Sequence, residues 1–537
     1  MEQPEAGFVA QVKSLPGTFY VANTMEVFER MAWYGMFTPL ALYLTDPRAR
    51  GGLGLTEEDA GTIIGIVTFA LYLMPVITGA LGDRFGYKKM FLLAYAILTP
   101  CYYLLGKATT YGGFLLAFLC VAVGAAIFKP VVVGTVARTT SQQTSQLGFG
   151  IFYMMVNVGG FLGPAISGYL RSPDPVTGVS HWNRLFLCSS IFIAVNFIWV
   201  ILFYREPTTE SASASKRTVG QVLRDAVEVL GNVRFFLCVF GMLILFFAAG
   251  KGWMGWKVAG ISAAGWLFLN LVLDAVLLGS NPTAGVDDRP WMLKPMRISN
   301  WRFAVYLLIL SGFWTAFNQI LGGVPLVSYI RDFVQTRPLL DFLAAVLGGL
   351  GLSGWSQSIT RYVAAGGQFN PEWISNLDPL FIVIFQIVIS LTVARMGRFP
   401  GMITGIVLAG IGIALPALSG GGSVGVLHAS GWLVVLAVFI FALGEMMASP
   451  TSQEYIGSIA PKDKVALYMG YYFIAVALGN LFGNVLGGIV YGRLARDLGR
   501  PDLMWLLFGG MALLTAFALA LYNRYAVPQP ASVAGEA

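Results

Sequence analysis

Charge is the scarcest ingredient of this chain: Asp, Glu, Lys and Arg make up 11% of its 537 residues, while 56% are hydrophobic. Soluble domains give about a quarter of their residues to charge, so a soluble globule is excluded and a polytopic membrane protein is expected. Histidine and cysteine are scarcer still. Two histidines, and four cysteines (Cys101, Cys120, Cys188, Cys238) lying in apolar runs without CxxC spacing, support neither a zinc site nor a disulfide scaffold. A Gly-rich phosphate loop, a nucleophile elbow and an Asp or His metal cluster are also missing. A membrane-embedded enzyme or a receptor is therefore only a remote alternative, and no cofactor is expected. Residues 1–16 hold Glu2, Glu5 and Lys13 without a basic n-region or a small-residue cleavage site, which reads as a short cytoplasmic tail. The net charge of +7 comes from Lys and Arg scattered through short loops. Positive-inside topology accounts for it, and nucleic acid is not an expected partner.

Apolar runs long enough to span a bilayer recur near 18–45, 58–82, 89–106, 111–137, 146–171 and 184–204. Two tightly spaced runs follow near 235–250 and 256–279, then six more near 303–333, 377–394, 400–417, 431–456, 466–490 and 503–523. The expected architecture is an all-α integral membrane protein of about 14 helices in a 6+2+6 arrangement. Its parts are a cytoplasmic tail (1–17), a six-helix bundle (18–204), a linker (205–302) with an inserted hairpin at about 235–279, a second bundle (303–523) and a cytoplasmic tail (524–537). An apolar stretch from Pro338 to Trp355 is long enough to span. Parity of the basic loops argues against that, so an extracellular segment at about 335–374 is read as lateral or re-entrant. Arg493, Arg496 and Arg500 fall outside in this topology, a mild violation of the positive-inside rule that Asp497 and Asp502 offset.

Ionisable residues within such runs are costly and by default mark function. In the first run, Glu26, Glu29 and Arg30 share one helical face, and Arg30 can pair with Glu26 one turn back. Two acids against one base leave a carboxylate able to exchange a proton. Lys129, followed by Pro130, lies mid-run in the fourth helix without a charged neighbour in sequence and needs a partner from another helix. Tyr153 and Asn157 are one turn apart in the fifth, offering a phenol and an amide. Glu445 is a lone acid in the tenth, with Ser449 one turn on, and wants a cation: a substrate ammonium, Lys129 or a proton. The seventh carries Trp314 and Asn318. The loop Gly79-x-x-x-Asp83-Arg84-x-Gly86-x-Lys88-Lys89 resembles the signature loop of the major facilitators, and Asp83 and Arg84 there are read as conformational gating residues.

Taken together these residues resemble the proton-dependent oligopeptide transporters, the peptide and nitrate group of that superfamily. Glu26-x-x-Glu29-Arg30-x-x-x-Tyr34-Gly35 is similar to that family's ExxER motif, and Lys129-Pro130 is similar to its helix 4 lysine. Phe152-Tyr153-x-x-Val156-Asn157-x-Gly159 and Glu445-x-x-x-Ser449-Pro450 resemble its helix 5 and helix 10 motifs. The resemblance implies a major facilitator fold and a proton-coupled symporter that imports di- or tripeptides, or related small polar solutes, by alternating access. It also implies a monomer in the inner membrane of a bacterium, both termini cytoplasmic, with protons as the coupling ion. Glu26, Glu29, Arg30 and Lys129 would couple protons, and Glu445 would receive a peptide amino terminus. Tyr34, Phe37, Tyr72, Tyr153, Asn157, Trp314, Asn318 and Ser449 would line the substrate site together with Glu445 and Lys129, through which recognition of a peptide carboxylate would be rerouted. Four departures from the family pattern stand out: Phe37 replaces the arginine that clamps a substrate carboxylate, Asn318 a helix 7 acid, Val131 an asparagine, and Asp378-Pro379 an Asn-Pro. Loss of the clamp keeps open a non-peptide cargo such as nitrate, another organic anion or a drug. Orthodox coupling and unusual substrate selection are the expectation.

Overall fold

The structure, a computed structural model, describes residues 12–75, 78, 85–140, 144–172, 174, 177–207, 233–250, 253–279, 295–296, 300–364, 367–459 and 465–527. Asp83 and Arg84 lie outside the described residues, as do most of the two polar linkers. The chain forms two compact units, one of Met1–Ser215 with Leu310–Leu521 and one of Lys216–Ile309 with Tyr522–Ala537. Helices follow one another in the expected order. The first half holds α1 (Gly17–Phe37), α2 (Leu40–Thr45), α3 (Glu57–Leu73), α4 (Tyr87–Leu105), α5 (Tyr111–Thr139), α6 (Ser145–Leu170) and α7 (Trp182–Ile198). The hairpin is α8 (Val233–Gly250) and α9 (Trp256–Gly279). After it come α10 (Trp301–Leu321), α11 (Val324–Phe333), α12 (Arg337–Gly349), α13 (Ser353–Ala364) and α14 (Pro371–Ser375). The chain closes with α15 (Leu377–Met396), α16 (Arg398–Ala414), α17 (Gly431–Ile459), α18 (Val465–Val490) and α19 (Pro501–Tyr525). Two short strands, β1 (Val334–Gln335) and β2 (Ala429–Ser430), pair in parallel.

Local chemistry explains the breaks. Pro39 ends α1 and starts α2 in the same apolar run, because a proline lacks the donor a continuing helix needs. The Gly322-Gly323 pair separates α10 from α11 in the same way that a flexible joint would. Pro130, by contrast, lies inside an uninterrupted α5. Among the described residues nine helices are long and apolar enough to cross a membrane. α1 falls short of that composition because it carries three charges, and α3 because its 17 residues are few for a span.

Within the larger unit, α1 packs on α6 through small residues. A Cβ on Gly163 would stand 2.5 Å from the Met31 carbonyl, and one on Gly159 would stand 2.6 Å from Arg30 Cβ and from the Val27 carbonyl. Such spacing lets backbones approach closely, the device by which membrane helices associate without a hydrophobic drive. In the hairpin unit, Arg234 pairs with Asp274 between α8 and α9, and the Trp266 indole donates to the Cys238 carbonyl at 3.0 Å. Its outward positions, among them Ile261 and Phe268, are exposed apolar groups suited to lipid.

The two six-helix halves are tied at the end read above as extracellular. Arg171, at the end of α6, makes a bidentate pair with Glu372 of α14, and its guanidinium lies 5.0 Å from the Trp182 ring centroid. Arg331 of α11 donates to Thr45 at 2.9 Å and to Asp46 at 3.2 Å, while also holding Asp332 at 2.7 Å. Burial pushes the Asp46 carboxyl above its ordinary range, and the Arg331 charge opposes that push. Arg496 pairs with Glu57 at the start of α3, and Arg500 holds Asp502 at 2.8 Å. Two of the arginines that strain the positive-inside rule are thus employed in ion pairs. The stretch 338–355 is not one helix: α12 and α13 have 13 and 12 residues, each too short to cross. They fold on each other at Gly351, whose φ of +77° suits glycine, and Ser356 donates to the Ala344 carbonyl at 2.8 Å.

The Arg171–Glu372 pair is fully buried on the acid's side, so the two residues should behave as a unit. Arg171→Met alone should cost about 3–5 kcal/mol by stranding a buried carboxylate, and the double change Arg171→Met with Glu372→Leu far less. Thermal unfolding of the detergent-solubilised protein measures both.

Candidate functional site

The site grows from α1. Arg30 donates through Nε to Glu29 at 2.5 Å and stands 3.2 Å from Glu26 Oε1. All three side chains are buried, at 6% exposure or less. One carboxylate oxygen of each acid, Glu26 Oε2 and Glu29 Oε1, has no hydrogen-bond partner. The cluster is therefore unequal: one guanidinium serves two carboxylates. The sequence placed Arg30 against Glu26; the structure adds Glu29 to the same guanidinium. Lys129 of α5 is half-buried and lies within electrostatic range of Glu26, Glu29 and Arg30, yet it makes no ion pair among the described residues. Its Nζ sits 6.0 Å from the centroid of the Tyr72 ring, and the Arg30 guanidinium sits 5.8 Å from that of Tyr34. Tyr34 in turn faces Gly160 of α6. Glu26, Glu29, Arg30, Lys129, Tyr34 and Tyr72 are thus brought together.

A second group belongs to the other half. Glu445 on α17 is half-buried, with Oε2 lacking a partner, and Asp378 on α15 is 4% exposed, with Oδ1 lacking one. Ser449, one turn beyond Glu445, hydrogen-bonds the Tyr472 phenol of α18, which also accepts from Gln453 at 3.1 Å. Trp314 stands with its ring 6.4 Å from that of Tyr472, and its indole nitrogen has no partner. Asn318 is 5% exposed, beside Gly483, with Nδ2 unbonded. From the first half, Tyr153 and Asn157 hydrogen-bond each other, Asn157 also donating to the Tyr153 carbonyl at 2.9 Å. Tyr153 lies within electrostatic range of both Glu445 and Asp378, so the two halves face each other across these groups.

Phe37 is placed differently from its neighbours. Its ring stacks on Trp33 at 5.1 Å and abuts the Gly322 joint, where a Cβ would stand 2.7 Å away. An arginine clamp has here become an apolar contact between α1 and the joint of α10 and α11. Sequence reasoning noted Asp378 only as a departure and missed Tyr472. The acid within a spanning run was the available signal for the first; nothing in the Tyr471-Tyr472 pair pointed to the second.

Two six-helix halves facing one another across buried charge and tyrosines define a secondary transporter of the alternating-access type. The chain belongs to the Major Facilitator Superfamily, whose family model matches residues 24–252 and 369–537. It is similar to a peptide transporter of Yersinia enterocolitica, at 24% identity over 87% of this chain and 86% of that one. It is also similar to a dipeptide and tripeptide permease of Proteus mirabilis, at 22% identity over 88% and 86%. Among solved structures, that of a peptide transporter in complex with alafosfalin shares its fold with a TM-score of 0.65, at 20% identity over 97% of this chain and 96% of the other. The likeness to oligopeptide transporters drawn from the motifs agrees with these comparisons.

Contact between α1 and α6 sets the position of Arg30. Gly159→Ala should destabilise the protein by about 1–3 kcal/mol, because the new methyl has only backbone and Arg30 Cβ to displace. Gly510→Ala, where a Cβ meets nothing within 4 Å, should be neutral or mildly stabilising in the same thermal melt.

Proposed function

We propose that this protein is a proton-coupled symporter that imports di- or tripeptides, or related small polar solutes, through the inner membrane as a monomer with both termini cytoplasmic. The observation that carries the reading is the unequal cluster on α1, in which Arg30 is shared by Glu26 and Glu29 with Lys129 in range. A proton arriving at either acid neutralises one of two claims on the guanidinium. Arg30 then binds the remaining acid, and the interaction that draws α1 toward α5 weakens. Because α1 is packed backbone to backbone on α6, that change is passed to a helix carrying Tyr153 and Asn157, which face the substrate groups of the other half. The outer ion pairs, Arg171–Glu372, Arg331–Asp46 and Arg496–Glu57, are the contacts that must part when the site opens outward. A single proton thus acts on helix packing rather than on the cargo. The names of the relatives support a peptide cargo.

A second reading, transport of a non-peptide solute by the same machinery, is favoured by Phe37. Its packing against Trp33 leaves no guanidinium there to meet a carboxylate, a loss of about 1.5–3 kcal/mol for a peptide. A thermal-shift screen against peptides, anions and amines separates the two cargo classes.

Purified protein in proteoliposomes should accumulate labelled dipeptide when the outside is made acidic, and accumulation that ignores the gradient would refute symport. Glu29→Gln should abolish gradient-driven uptake yet retain counterflow. Equal loss of both would show that Glu29 holds the fold rather than the proton.

A further inference from the structure

The coupling machinery does not use the two acids of the second half. Asp378 stands in the first turn of α15, one turn ahead of Ile382, and Ile382 packs with Ala442 and Met446, which bracket Glu445 on α17. The rings of Phe381 and Phe385 hold that of Phe439 at 5.1 and 5.6 Å, so α15 and α17 run side by side over this stretch. Glu445 feels the charge of Asp378, and Tyr153 feels both. Each acid keeps one buried oxygen without a hydrogen-bond partner, and among the described residues no Lys or Arg acts on either.

A structural duty does not account for the pair. An acid in the first turn of a helix is favoured by the helix dipole by about 0.3–1 kcal/mol, whereas an unpaired buried carboxylate costs several kcal/mol. Nor does the rest of the site balance it. Among the described residues Glu26 and Glu29 have Arg30 and Lys129 within electrostatic range, whereas Asp378 and Glu445 have no such cation, so each needs a proton or a cationic group beside it. Phe37 adds no positive group. A proton meets that need in the empty site, and a cationic group of the cargo can take its place.

We propose that Asp378 and Glu445 form a dicarboxylate subsite for cationic amines, which selects substrates carrying two ammonium groups, a basic dipeptide or a linear diamine, over a neutral zwitterionic dipeptide. Asp378 is the specificity-determining member, because it converts a single acid into a pair. The passage of such substrates rests on the transport reading above; their binding does not.

Three probes test it on the purified full-length protein: alanyl-alanine, lysyl-alanine and the diamine cadaverine, by calorimetric binding and by competition for uptake. The two probes with two ammonium groups, lysyl-alanine and cadaverine, should bind at least about tenfold tighter than alanyl-alanine, the factor that one charge-assisted hydrogen bond supplies. Asp378→Asn, nearly identical in shape, should shrink that ratio by about tenfold. Equal or weaker binding of the two diammonium probes by the wild-type protein overturns the subsite without need of any variant. Uptake of alanyl-alanine with no preference for cations keeps the transport reading and overturns the subsite. Preferential binding of the diammonium probes without uptake of any probe does the reverse. An Asp378→Asn change that alters the pH dependence of uptake and not the ratio also overturns it, since the acids would then share a proton rather than hold an amine.

Discussion

Everything in the larger unit is arranged around one buried imbalance, the guanidinium of Arg30 divided between Glu26 and Glu29. A buried charge is tolerable only when paired, and a matched pair at this depth would be a static strut. The extra carboxylate is what the proposed coupling draws on, because protonation and pairing compete for the same oxygens. The supporting structure follows from that demand. Glycines at 159 and 163 bring α6 close enough to fix the backbone beneath Arg30. Tyr34 and Tyr72 present ring faces to Arg30 and Lys129, which moderates the cost of holding two cations near one another. Lys129 stays in range without closing an ion pair, so the cluster retains a cation that has not yet been spent.

The opposite logic governs the outer end. There two pairs match one to one, Arg171 with Glu372 and Arg496 with Glu57, and Arg331 bridges Asp46 and Asp332. Matched pairs between rigid bundles act as fasteners that have two states, made or parted. They also explain why arginines persist where topology disfavours them. Arg496 and Arg500 are held by acids, and a paired arginine carries little net charge to oppose its placement outside.

Much of this was legible from the sequence because membrane chemistry leaves little freedom. A run of apolar residues has to be a helix, so the helix order and the hairpin could be read from hydropathy alone, and ionisable residues in such runs announced Glu26, Glu29, Arg30, Lys129 and Glu445. What stayed hidden is whatever depends on which helices touch. Glu29 competes with Glu26 because Arg30 bends to reach both. Tyr472 matters only because α18 brings it to Ser449 and Trp314. Arg171 and Glu372 are about 200 residues apart, and nothing local to either foretells the pair. Gly322 and Phe37 likewise meet only in three dimensions, where a lost clamp turns out to be a packing contact.

Substitution at Phe37 and substitution at Asp378 belong to one electrostatic argument. A zwitterionic peptide presents a carboxylate at one end and an ammonium at the other, and a site built for it needs a cation and an anion well separated. Here the cationic end has been replaced by a phenyl ring stacked on Trp33, and the anionic end has gained a second carboxylate. Each change alone would weaken peptide recognition. On the proposed reading, the two changes together favour a cationic group of the substrate beside Asp378 and Glu445. The proposed coupling triad is untouched by this reversal, since Glu26, Glu29 and Arg30 sit together on α1. Energy coupling and substrate choice can therefore diverge within one fold, because they draw on charges held by different helices.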